Sequence, residues 1–251
     1  MNDQRTVVVT GAAQGIGFAI AKAFSDQGDY VVIGDLNQEK AEEAASKLNQ
    51  AKGYQVDVSK VEEVERFIQK IINEFGSVEV LVNNAGLQHI DRVEDFPVEK
   101  WQLLLDVMLT GPFLMTKFLI PHMKEKQYGR IINISSVHGK TASPYKSAYV
   151  SAKHGVVGLT RTVAIETAND GITVNAIMPG AVRTKLVENQ LARLAEEDGT
   201  TEEEALENNL LKKQPMKRLL EPDEIAHTAV FLASDRAGAI TGETVSVSGG
   251  W

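Results

Sequence analysis

Apolar residues along this chain fall into two alternating kinds of segment. Short continuous runs rich in β-branched residues have the signature of strands buried on both faces of a parallel sheet. Such runs cover Arg5 to Thr10, Tyr30 to Gly34, Tyr54 to Val58, Val78 to Val82, Arg130 to Ile134 and Thr244 to Val247. Between them lie stretches with apolar residues every three or four positions and charges elsewhere, as in Val61 to Phe75, which is the helical period. Strand and helix patterns alternate throughout and no linker interrupts them. The pattern predicts a single α/β domain over residues 1–251, a doubly wound parallel sheet flanked by helices. Trp101 to Lys124 reads as a long, mostly apolar helix. Leu186 to Gln214 is too long for a plain connection, is helical in pattern, and suits a lid over a site.

With 251 residues, 43% of them hydrophobic, the chain can bury one sizeable core. It has no cysteine, which excludes disulfides and cysteine-ligated zinc and fits a cytoplasmic location. No metal site is expected. The start lacks a signal-peptide pattern and no apolar run reaches membrane-spanning length, so no membrane partner is expected. A net charge of −8 argues against a nucleic-acid groove. Anion recognition must then be built locally, from backbone N–H groups and helix ends.

The first strand runs directly into Gly11-Ala-Ala-Gln14-Gly15-Ile16-Gly17 and then into an amphipathic helix. Glycines there permit a tight turn and close backbone approach, and the helix N-terminus offers free donors to a pyrophosphate. Asp35 ends the second strand about 20 residues further on, where a carboxylate accepts hydrogen bonds from an adenosine ribose. The same charge repels a 2′-phosphate, so NAD is favoured over NADP. Asp35 could also cap the helix that follows, a role Asn37 fills at least as well. The strand from Val78 ends in Asn83-Asn84-Ala85-Gly86, amides that border the ligand crevice of such a sheet.

Ser136 closes the apolar run Arg130 to Ile134, at the carboxyl end of a strand. Tyr149 and Lys153 are four residues apart in a helical segment and share one face. A fixed cation beside a phenol favours the phenolate and makes the pair a general acid/base.

This order of strand, glycine turn, acid, amide pair, strand-end serine and Tyr-x-x-x-Lys resembles the short-chain dehydrogenase/reductase family over essentially the whole chain, with a Rossmann-type fold. The resemblance implies that Thr10, Gly11, Gly15 and Gly17 form the family's cofactor turn, that Asp57 and Val58 lie on the adenine, that Asn84, Ala85 and Gly86 border the cofactor, and that Pro179 and Gly180 lie near the nicotinamide. It implies Ser136, Tyr149 and Lys153 as the catalytic group, with Lys153 also on the cofactor ribose, and a homotetramer. Two positions depart from the pattern. Met108 stands where the family usually has an asparagine that helps hold a proton-relay water. A thioether cannot donate or accept as an amide does, but the backbone carbonyl credited with part of the relay is retained, and Met108 also reads as a core residue.

Gln88, His138, Lys146 and Gln190 are polar groups outside the general family pattern. Lys146, Tyr149 and Lys153 read as one helical stripe, and a second cation on that side suggests an anionic substrate. With Trp251 they are most similar to the branch of the family whose substrate is D-3-hydroxybutyrate, where the lysine, the histidine and both glutamines engage the carboxylate. The second departure is Ala181, in Pro179-Gly180-Ala181, where that branch commonly has tryptophan. One wall of the methyl pocket is then missing, and Trp251 offers another. Sugars, cyclic ketones and 3-oxoacyl thioesters stay open as other carbonyl substrates, as does a weakly catalytic NAD-binding sensor.

Overall fold

Val7 and Val9 pack against one layer of helices while Val8, between them, packs against the other. That alternation follows from the two-residue period of a strand buried on both faces. In the computed structural model, residues 4–251 are described, except that the side chains of Leu186, Gln190, Arg193, Glu197 and Asp198 lie outside the described residues. The chain begins with β1 (Thr6–Thr10), α1 (Gly15–Asp26), β2 (Tyr30–Asp35), α2 (Gln38–Ala45), β3 (Ala51–Gln55), α3 (Val61–Phe75) and β4 (Val80–Asn83). It continues with α4 (Val98–Leu105), a π-helical turn (Asp106–Thr110), α5 (Gly111–Lys126), β5 (Gly129–Ile134), a 3₁₀ turn (Val137–Gly139) and α6 (Ser147–Thr167). The last third holds β6 (Ile172–Pro179), α7 (Lys185–Asp198), α8 (Glu202–Ala205), α9 (Pro222–Leu232) and β7 (Thr244–Val247).

All neighbouring strands pair in parallel, in the order β3-β2-β1-β4-β5-β6-β7. The chain reverses direction across the sheet between β1 and β4, the switch point where a doubly wound sheet opens a crevice at its carboxyl edge. This is the single Rossmann-type α/β domain that the sequence pattern predicts.

Three local expectations are corrected. The third strand is Ala51–Gln55, not Tyr54 to Val58. It is an edge strand whose register is set by β2, with Gly34 opposite Tyr54, and a Cβ on Gly53 would lie 2.3 Å from the Ala41 backbone. Glycine there lets α2 lie on the strand, a packing demand that β-propensity does not record. Asp57 and Val58 therefore sit in the loop beyond it. Lys146 is the N-cap of α6 and not part of its helical stripe, with φ −118° and ψ 34°.

The third correction concerns apolar length. The continuous helical path Val98–Lys126 is 29 residues long and, by length and composition only, contains a stretch apolar enough to cross a membrane. Leu104, Met108, Leu114, Met115, Leu119 and Met123 are buried within the core clusters instead. Core packing is what the apolarity serves at these positions, while Val98, Leu103 and Phe113 of the same path are exposed.

Candidate active site

Two glycines fix how closely the first turn approaches its neighbour strand. Gly11 has φ +61°, and a Cβ on it would lie 2.7 Å from the Cα of Ala85. One on Gly17 would lie 2.4 Å from Nδ2 of Asn84. Asn84 donates that amide to the carbonyls of Thr10 (3.0 Å) and Gly11 (2.9 Å), while Thr10 Oγ1 accepts from the Asn84 and Ala85 N–H groups. The amide expected at the crevice thus ties β4 to the glycine turn. No side chain caps the N-terminus of α1 and no acid lies in its first turn, so its donors stay open to an anion.

In front of this turn lies a cleft of about 480 Å³. Gly11, Gln14, Gly15, Ile16, Asp35, Asp57 and Val58 line one part of it, and Asn84, Ala85, Gly86, Tyr149, Lys153, Pro179 and Gly180 line another. Of the residues expected at the cofactor and its crevice, Thr10, Gly17 and Asn83 do not line the cleft; Thr10 and Asn83 are buried behind it and Gly17 packs against Asn84. Asp35 accepts from the Ala13 N–H (3.2 Å) and the Asn37 N–H (3.3 Å), and Asn37 caps α2 through the Lys40 N–H at 2.9 Å, as its sequence position predicts. Asp57 accepts from the N–H and hydroxyl of Ser59 (2.9 and 2.6 Å), which fixes its loop. A bare helix end, a turn that a Cβ would block and an acid at the end of β2 fit an adenine dinucleotide.

At the other end of the cleft stand Ser136, Tyr149 and Lys153. Ser136 follows β5 and opens the 3₁₀ turn, its Oγ accepting the His138 N–H at 3.2 Å. The Lys153 ammonium donates to the carbonyl of Ile134 at 2.8 Å and lies 5.6 Å from the centroid of the Tyr149 ring. Burial pushes Lys153 down to about 8. Burial also raises the Tyr149 phenol above its ordinary value, although the Ser136 hydroxyl pulls it the other way. The phenol thus lies above its ordinary value, where the sequence expectation put it below. Desolvation disfavours the phenolate and outweighs the Ser136 hydrogen bond that favours it.

His138 packs edge-on between Tyr149 (centroids 5.8 Å apart) and Trp251 (5.7 Å). Its Nδ1 lies 3.3 Å from Ser136 Oγ and its Nε2 lies 2.9 Å from Ser143 Oγ. Burial, and then the charges of Lys146, Lys213 and His154, push His138 down to about 4, so the ring is neutral at neutral pH. Lys146 is lowered by burial alone. Oε1 of Gln88 is buried with no hydrogen-bond partner among the described residues. The Gln190 side chain lies outside the described residues.

Met108 is 1% exposed, lines the cleft and lies inside the π-helical turn, where the Gly111 N–H reaches back to the Asp106 carbonyl. Ala181 is 7% exposed under Leu211 and Leu219, with Val187, Leu206 and Leu210 packed around them. It does not line the cleft, and leucines from the segment after α7 close over the place where a missing wall was expected. Thr184, the N-cap of α7, and Lys185 and Val187 in its first turn do line it.

Sequence reasoning missed Ser143, Lys213 and Gln214. Gln214 is 0% exposed, accepts the Ala181 N–H at 3.1 Å and donates to the carbonyl of Arg218. It fastens the end of the excursion to the loop after β6. A glutamine before a proline carries no pattern that announces this.

The chain matches, over residues 11–251, a family model described as enoyl-(acyl carrier protein) reductase. It is 43% identical to a D-beta-hydroxybutyrate dehydrogenase of Cupriavidus necator, an alignment covering 100% of this chain and 99% of that one. It is 42% identical to a D-beta-hydroxybutyrate dehydrogenase of Rhizobium meliloti, covering 98% of each. It is 38% identical to a 3-oxoacyl-[acyl-carrier-protein] reductase of Haemophilus influenzae, covering 98% of this chain and 97% of that one.

Proposed function

Because this chain belongs to the short-chain dehydrogenase/reductase family, we propose that it is an NAD-dependent oxidoreductase interconverting a D-3-hydroxy acid, in the first place 3-hydroxybutyrate, and its 3-oxo acid. The observation that carries the substrate class is the row formed by Tyr149, His138 and Trp251, a phenol, a neutral imidazole and an indole in edge contact. With Lys146 at the start of α6, it sets a carboxylate seat beside a proton-transfer group.

The glycine turn, the open end of α1 and Asp35 would hold the dinucleotide, with Asp57 and Val58 toward its adenine and Pro179 and Gly180 toward its nicotinamide. When bound, the nicotinamide supplies a hydride acceptor or donor. Tyr149 takes the substrate's hydroxyl proton in oxidation and returns it in reduction. Ser136, held by the His138 N–H, orients the substrate oxygen. The Lys153 ammonium, anchored on the Ile134 carbonyl, favours the phenolate once a bound cofactor and substrate hold the pair in place. The segment after α7 closes the site from solvent. Lys146, with Gln88, His138 and Gln190, receives the carboxylate, and Trp251 walls the carbon chain. A homotetramer belongs to the same reading, supported by Val98, Phe113 and Ile165, which leave apolar side chains exposed on α4, α5 and α6.

An NAD-coupled assay over 3-hydroxy acids of both hands tests this. NADH should form with D-3-hydroxybutyrate and not with its mirror image. Lys146→Ala should raise KM for the acid and leave a neutral ketone unaffected. Turnover confined to neutral carbonyls would replace the reading with that of a reductase for another substrate.

A further inference from the structure

Lys213 lies on a 3₁₀ turn, Leu211–Lys213, clamped at both ends. Leu211 is buried against Ala181 and Leu219, and Gln214 is locked to the loop after β6 by its bonds to Ala181 and Arg218. The Lys213 backbone is thereby fixed beside the site. Its ammonium stands 5.9 Å from the centroid of Trp251, next to the ring that touches His138. Lys213 on this turn and Lys146 at the N-cap of α6 come from two different elements, and the charges of both, with that of His154, are felt at His138. No carboxylate among the described residues pairs with either. Lys213 is exposed and Lys146 half-buried, so an acidic ligand beside the neutral His138 would meet two ammonium groups that no protein carboxylate holds away from it.

We propose that Lys213 is a specificity-determining residue that grips the substrate's carboxylate from the segment after α7 while Lys146 meets it from the start of α6. The inference rests on the 3-hydroxy acid reading and adds a residue to it. Ala181 makes the arrangement possible, since a bulky side chain there would displace Leu211 and carry Lys213 away from Trp251. Substrate charge then helps to hold the segment shut.

Lys213→Gln should raise KM for D-3-hydroxybutyrate about tenfold with kcat little changed, an effect that shrinks as salt is added, and Lys213→Arg should restore it. KM for the uncharged methyl ester should not move. An unchanged KM for the acid, or a parallel rise for the ester, overturns the proposal. A second readout separates this from a failure of the function itself. In a Trp101→Phe background Trp251 is the remaining tryptophan, and malonate should quench its fluorescence more weakly after Lys213→Gln. If no 3-hydroxy acid is turned over, the function reading falls, and malonate titration alone decides Lys213, with equal affinities overturning it.

Discussion

The imidazole of His138 meets the phenol ring of Tyr149 edge-on, with centroids 5.8 Å apart and planes at 80°. That contact joins the group proposed for proton transfer to the proposed carboxylate seat. It also buries an imidazole among cations, which makes the fold sensitive to acid.

Folded His138 takes its proton at about pH 4, whereas an unfolded histidine does so near 6.5. Between these values the unfolded chain binds a proton that the folded one does not, so stability falls as pH drops from 6.5 towards 4. The full loss is about 3 kcal/mol. Urea unfolding at pH 7 and pH 4.5 should show a steeper decline for the natural protein than for His138→Gln. Parallel declines would remove His138 as the cause.

Reduction needs Tyr149 as a phenol and Lys153 as an ammonium, and oxidation needs the phenolate. With the phenol raised by burial and Lys153 at about 8, kcat/KM for reduction should fall above about pH 8, and the oxidation optimum should lie at higher pH than the reduction optimum. Tyr149→Phe should cost roughly 10²–10⁴-fold in both directions while NADH still binds. Steady-state rates and NADH fluorescence check both points.

Asp35 brings a negative charge to the cleft where an adenosine ribose would lie. Asp35→Ser should narrow the preference for NAD over NADP by about tenfold or more, through removal of charge repulsion. The ratio of kcat/KM values for the two cofactors measures it. An unchanged ratio would mean that Asp35 only braces the turn through Ala13 and Asn37.

Gln214→Leu leaves the buried Ala181 N–H without its acceptor and should cost about 1–3 kcal/mol. Because that bond anchors the segment after α7, proteolysis between residues 185 and 214 should accelerate more than global unfolding does. Limited digestion beside a urea curve separates the two.

The sequence by itself determined the alternation of buried strands and amphipathic helices, the glycine turn and the order of the chemical groups along the chain, because these depend on period and local backbone freedom. It marked Ser136, Tyr149 and Lys153, which the fold brings to one cleft, and Asn37 as a cap. Tertiary structure decided the rest. Edge position and the approach of α2 moved β3 to Ala51–Gln55. Burial, which no spacing reports, reversed the expected direction of the Tyr149 shift. Leu211 and Leu219 closed over Ala181, while Ser143, Lys213 and Gln214 joined the site from distant segments. Desolvation and long-range packing depend on what each side chain finally faces, and that is settled only when the sheet and its helices have closed around it.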